Sequence, residues 1–144
     1  MASVSTEVDF PVSPDEFYDV LTNFDALPDF ISGLESITVI DDTADAWVVE
    51  HVVRVMKQFT YTLAFRGTRG ASLSWTQVEG PFKKNEGLWT LEPGDSGGTH
   101  ATYSMTLEVG LFVPRSIERG LVKNDLPRLM GDWRKAADAR GSAP

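Results

Sequence analysis

His51, Tyr61, Gln77 and Tyr103 are hydrogen-bonding side chains at positions whose neighbours two residues away are Val, Leu, Phe and Trp. An imidazole titrates near neutral pH and can accept, donate or move a proton. A phenol or amide that is buried must find a neighbour, a water or a ligand, because an unmade bond costs about 1–3 kcal/mol. For His51 the open readings are a satisfied core histidine, a contact to a ligand carbonyl or hydroxyl, and a proton-transfer group. For Tyr61, Gln77 and Tyr103 the choice is between bonds to one another or to backbone, and bonds to something held in a cavity. Trp75, Trp89 and Trp133 offer large flat faces, suited to core packing or to stacking on an aromatic or quinone ring. Val53, Leu63, Met105, Leu126 and Met130 are the apolar residues expected beside them, as core or as an adaptable cavity wall.

Asp125 and Asp132 lie on similar sides of a predicted helix, where a carboxylate pair could do acid/base work. Arg128 and Arg134 are near enough for ordinary ion pairs, so both aspartates are read as solvated helix charge. His100, the second histidine, falls on an outward strand position near a turn. With the two histidines on opposite faces and no cysteine, no metal site is expected. No residue is assigned as catalytic, and no cofactor is expected.

Gly94-Asp95-Ser96-Gly97-Gly98 spells GDSGG, the letters around the nucleophilic serine of trypsin-like proteases. That chemistry needs a base and an orienting carboxylate gathered around the serine. His51 precedes Ser96, but the only aspartate between them is Asp95, the neighbour of Ser96, which cannot reach round to orient His51. A turn accounts for every letter, since Gly, Asp and Ser are the residues that accept positive φ between strands. Ser96 is expected to be exposed and inert.

The elements that must position these groups follow from pattern. Ser13-Pro14-Asp15-Glu16 is a helix start, with Ser13 as cap, Pro14 in the first turn and Glu16 closing a capping box; the helix should run to about Thr22. Asn23 to Ile31 reads as a second short helix, ended by Gly33. From residue 34 the period becomes two. Trp47, Val49, His51, Val53 and Val55 form one face of a strand, and Phe59, Tyr61, Leu63 and Phe65 the inward face of the next. Strands over about 71–79, 82–92 and 99–109 follow, with Leu73, Trp75, Gln77, Trp89, Leu91, Tyr103, Met105, Leu107 and Val109 inward. The Gly and Pro residues between them imply an antiparallel meander. The stretch from about Pro114 to Ala139 is predicted as one long helix with Leu126, Leu129, Met130, Trp133 and Ala137 on one face. Pro127 should kink it near Asn124 to Leu126.

The chain's 144 residues suit one domain, expected over 2–140 with a tail at 141–144. Hydrophobic residues make up 42%, which excludes disorder, and the absence of cysteine excludes disulfides and thiol chemistry. The formal charge is −8, from 21 acidic and 13 basic residues. Only Lys83-Lys84, with Arg66 and Arg69 nearby, approaches a basic cluster, so nucleic-acid binding is not expected. No apolar run is long enough to span a bilayer, and MASVSTEVDF lacks the layout of a signal peptide; the expected location is cytoplasmic, without stable membrane insertion.

Three pieces of the chain carry a family likeness: VSPDEFYDVLTNFDALPDFISGLESITVID (12–41), GPFKKNEGLWTLEPGDSGGTHATYSMTLEV (80–109) and FVPRSIERGLVKNDLPRLMGDWRKAAD (112–138). In order and spacing they resemble the START-like (SRPBCC) helix-grip superfamily, in particular its polyketide cyclase/dehydrase and lipid-transport branch. The resemblance implies an α+β fold: one strand, two short helices and a meander, about seven strands in all, forming a curved antiparallel sheet wrapped around a long C-terminal helix. It also implies a largely apolar cavity between sheet and helix. The glycine-rich loop of plant pathogenesis-related relatives would fall at DDTADAW, which has no glycine, so that loop's role does not carry over.

The resemblance and the inward faces together point first to binding of a hydrophobic small molecule, such as a polyketide, quinone, isoprenoid or lipid. The second reading is an aromatase/cyclase or dehydratase whose cavity folds a reactive chain, with much of the acceleration coming from orientation. A third is a protein-interaction module like the ribosome-associated branch. The expected cavity-lining set is His51, Val53, Tyr61, Leu63, Trp75, Gln77, Trp89, Tyr103, Met105, Leu126, Met130 and Trp133.

Overall fold

Ser13 caps the first helix as its sequence predicts. Its hydroxyl accepts from the Glu16 N–H, and the Glu16 carboxylate accepts from the Ser13 N–H. These reciprocal bonds satisfy donors that the first helical turn would otherwise leave unpaired. The computed structural model describes residues 2–55, 57–111, 113–120 and 125–141. In chain order they form β1 (Ala2–Phe10), α1 (Pro14–Thr22), a 3₁₀ segment (Phe24–Asp29), β2 (Leu34–Thr43), β3 (Ala46–Val55), β4 (Lys57–Thr68), β5 (Ser72–Glu79), β6 (Phe82–Pro93), β7 (Thr99–Val109), α2 (Ser116–Gly120) and α3 (Leu126–Gly141).

All seven strands lie in one antiparallel sheet, ordered β1-β7-β6-β5-β4-β3-β2. The meander is closed on one side by β1, which pairs with β7 from Ala2 opposite Leu107 to Phe10 opposite Thr99. The register breaks between Leu34 and Ser36, Val39 and Asp41, Thr62 and Leu63, and Phe82 and Lys84. Such bulges bend a strand and increase its twist, which helps the sheet curve around what lies on its inner face.

That inner face carries the core. Phe10 stacks on Phe17 with centroids 4.1 Å apart, Trp89 meets Phe17 edge-on at 5.4 Å, and Trp133 of α3 stands perpendicular to Trp89 at 6.1 Å. Ala136 and Ala137 bury in the same cluster, where small side chains let α3 come close. The β2–β3 turn has no glycine, and Asp45 supplies its left-handed backbone at φ 54°. Tyr18 Oη donates to Asp45 Oδ1 at 2.8 Å and ties that turn to α1.

One sequence expectation needs correction. The second short helix is a 3₁₀ segment, Phe24–Asp29, and Pro28 within it lacks the N–H a regular helix would use. Of the long helix expected from Pro114, the described residues form α2 (Ser116–Gly120) and α3 (Leu126–Gly141), and residues 121–124 between them lie outside the described residues. Of the expected kink at Asn124–Leu126, Asn124 lies outside the described residues.

GDSGG forms the β6–β7 turn. The Gly98 N–H donates to Asp95 O at 3.0 Å, the Gly94 N–H donates to Gly98 O at 2.8 Å, and Ser96 is exposed with φ 56°.

Candidate functional site

Between the inner face of the sheet and α3 lies a cavity of about 250 Å³. That is just below the range, about 300–1,000 Å³, usual for ligand sites. Most of its wall is apolar. Val53 and Leu63 come from β3 and β4, Trp75 from β5, Trp89 from β6, Met105 and Leu107 from β7, and Leu129 and Trp133 from α3. Leu21 of α1 and Phe24, Leu27 and Ile31 close the side under the 3₁₀ segment.

The polar groups on the wall have few partners. His51 and Tyr61 are directly paired across β3 and β4, and their rings stack at 5.2 Å and 15°. His51 Nδ1 lies 3.1 Å from Val49 O. A carbonyl only accepts, so Nδ1 carries the proton and Nε2 presents a lone pair. Among the described residues, neither Nε2 nor the Tyr61 hydroxyl has a hydrogen-bond partner. Burial lowers the His51 pKa to about 4, slightly offset by the Val49 bond, so the ring is neutral at pH 7. Burial raises the Tyr61 pKa to about 12. It raises that of Tyr103 further, helped by the proximity of Tyr61, and the Tyr103 hydroxyl donates weakly to Met105 Sδ at 3.3 Å. Both phenols therefore stay protonated.

Among the described residues, formal charge on the wall is confined to one end. Asp125, just before α3, and Arg128 and Asp132 of α3 line the cavity where Ser32, Gly33 and Arg128 are exposed, which marks its mouth. Arg128 pairs with Asp125 at 3.0 Å. Asp132 is buried and accepts the Ser32 N–H at 2.9 Å, holding the loop before β2 against α3.

Of the residues expected on the wall, His51, Val53, Tyr61, Leu63, Trp75, Trp89, Tyr103, Met105 and Trp133 are there. Gln77 is not: its Nε2 donates to Phe82 O at 2.7 Å across the β5–β6 turn, leaving a buried Oε1 without a partner. Leu126 and Met130 are also off the wall and pack in the main core cluster. The cavity faces Asp125, just before α3, and the adjacent stripe of α3 made of Arg128, Leu129, Asp132 and Trp133, at spacings of three and four. The aspartates also change standing. Asp125 does form the surface pair expected, whereas Asp132 is buried at the mouth instead of solvated.

Sequence reasoning missed Asn85, a buried amide on the wall that has no hydrogen-bond partner among the described residues. The bulge after Phe82 shifts parity within β6, so Phe82 and Asn85 both face inward although one is even and the other odd. His100 lies outside the cavity, with Nδ1 2.8 Å from Asp9 Oδ1 and Nε2 3.1 Å from Glu7 Oε1; these two carboxylates raise its pKa. Among the described residues no group of His, Asp and Glu is arranged to hold a metal, and no helix is long and apolar enough to cross a membrane.

A curved seven-stranded antiparallel sheet gripping a C-terminal helix across a cavity is the helix-grip architecture of START-like proteins. The chain belongs to the polyketide cyclase / dehydrase and lipid transport family, whose model it matches over residues 10–133. Solved structures share the fold. TTHA0849 from Thermus thermophilus is 20% identical with a TM-score of 0.84, over 98% of this chain and 99% of that one. A START superfamily protein from Mycobacterium smegmatis is 16% identical with a TM-score of 0.84, over 96% and 99%. The Zhui aromatase/cyclase from Streptomyces sp. R1128 is 16% identical with a TM-score of 0.82, over 98% and 96%. No curated protein sequence matches the chain.

Proposed function

We propose that this protein binds a hydrophobic small molecule, of the polyketide, quinone, isoprenoid or lipid kind, in the cavity between the sheet and α3. The observation that carries the reading is an apolar chamber on whose wall His51 Nε2, the Tyr61 hydroxyl and the Asn85 amide have no protein partner among the described residues. A core that served packing alone would not leave such groups unpaired, because each forgoes a bond worth about 1 kcal/mol or more. Family membership supports it, since the family description includes lipid transport. Native mass spectrometry of the purified protein, followed by denaturing extraction, tests the reading. A discrete apolar molecule released in stoichiometric amount is the expected result. A clean apo mass, together with no uptake of hydrophobic probes by the folded protein, would overturn it.

A second reading, cyclisation or dehydration of a bound chain, rests on His51. A neutral imidazole with a free Nε2 beside a protonated phenol can accept a proton while the phenol donates one. The structural likeness to an aromatase/cyclase agrees with it. Undiminished product formation by His51→Ala and Tyr61→Phe would remove these residues from any such mechanism.

A further inference from the structure

The stacked pair His51 and Tyr61 places an acceptor and a donor side by side on the cavity wall, both without protein partners among the described residues. We propose, resting on the small-molecule reading above, that this pair is a subsite for one uncharged hydroxyl carried on a flat ring. The cavity therefore selects phenol-like ligands over bare hydrocarbons and rejects carboxylates.

One hydroxyl satisfies both protein groups. Its O–H donates to His51 Nε2, and its oxygen accepts from Tyr61 Oη. Trp75, Trp89, Tyr103 and Phe65 line the same chamber with rings on which a flat ligand can stack. The Asn85 amide offers a further neutral contact on the wall.

Exclusion of carboxylates follows from where charge lies. Among the described residues, Asp125, Arg128 and Asp132 are the charged side chains of the wall, and all belong to the mouth. At that rim two carboxylates face one guanidinium among the described residues, and Arg128 is already paired with Asp125. Among the described residues the interior holds no cation, since His51 is neutral. An ionised carboxylate drawn inside would lose its water with no counter-charge to replace it.

The test uses three probes with one ring system: 1-naphthol, naphthalene and 1-naphthoate, titrated calorimetrically into the full-length protein at pH 7. 1-Naphthol is expected to bind about tenfold tighter than naphthalene, the worth of a net buried hydrogen bond, and 1-naphthoate weaker than either. In His51→Phe and in Tyr61→Phe, which removes a single oxygen and is the safer variant for folding, the preference for 1-naphthol over naphthalene should fall towards unity. Equal affinity of the wild type for 1-naphthol and naphthalene, or 1-naphthoate binding as tightly as 1-naphthol, overturns the subsite while leaving small-molecule binding intact. Failure of all three probes to bind a protein that releases an apolar ligand on extraction overturns the subsite alone, and their failure together with a clean apo mass removes the small-molecule reading and the subsite with it.

Discussion

The indole of Trp75 lies against Gly87 on the neighbouring strand, so close that a Cβ on Gly87 would overlap the ring. The same Cβ would stand 2.6 Å from Ser104 O on the other side. Glycine here makes room for a ring that forms part of the cavity wall. Gly87→Ala should lower stability by about 1–3 kcal/mol through overpacking, read from the midpoint of urea unfolding. Adding Trp75→Phe should recover part of the loss, because the smaller ring can yield while the Ser104 carbonyl cannot. A wild-type midpoint for Gly87→Ala would show that the contact is not tight.

Asp132 links the mouth to the helix through its bond from the Ser32 N–H. Asp132→Ala should cost about 1–3 kcal/mol, the usual worth of a hydrogen bond to a charged group, and should speed amide exchange at Ser32. Asp132→Asn keeps an accepting oxygen and should retain most of the protection. Unchanged Ser32 exchange in Asp132→Ala would mean that the loop is held by other contacts.

How much of this was legible in the sequence varies with the distance over which a residue's neighbours act. Capping at Ser13 and the period-two faces of β3 and β4 are local, and they put His51, Val53, Tyr61 and Leu63 on the inner side correctly. Asn85 keeps the odd parity of Trp89 and Leu91, so the period-two pattern carried back along β6 would have placed it inward; its polar type hid it, while the bulge displaces only Phe82 from that parity. Asp132 was hidden because its partner, Ser32, is a hundred residues away in the chain. The cue was present in weaker form: Asp132 borders the apolar face of α3, one turn from Leu129. The apolar stripe of Leu126 and Met130 was real, but it faces the core and not the cavity, a matter of how the helix is rotated against the sheet.

Ser96 offers a clean negative. It is exposed, its backbone is left-handed at φ 56°, and among the described residues no hydrogen bond joins it to a histidine. Without a base its hydroxyl is no nucleophile at neutral pH. A fluorophosphonate probe should leave the protein unlabelled, and Ser96→Ala should change stability by less than about 0.5 kcal/mol. Stoichiometric labelling lost in Ser96→Ala would reinstate the hydrolase reading.

His51 should govern how stability responds to mild acid. Burial holds its folded pKa at about 4, whereas the unfolded chain takes up the proton near 6.5. Between those values the unfolded state binds more protons, so stability is full above pH 6.5 and falls as the pH drops towards 4. At about 1.4 kcal/mol per unit, the loss is on the order of 3 kcal/mol. His100 works the other way: Asp9 and Glu7 raise its pKa, so its contribution is present below the unfolded value and fades as pH rises through the folded one. Urea unfolding of the wild type and His51→Phe, both carrying His100→Asn, should therefore diverge between pH 6.5 and 4, with the shallower slope in His51→Phe. Carboxylates titrate in the same window but contribute equally to both proteins, so the difference reports His51. Parallel slopes would mean that burial does not depress the folded pKa, so that the imidazole takes up its proton near pH 6.5 in the folded protein as in the unfolded one, and the Nε2 acceptor would be lost below that pH.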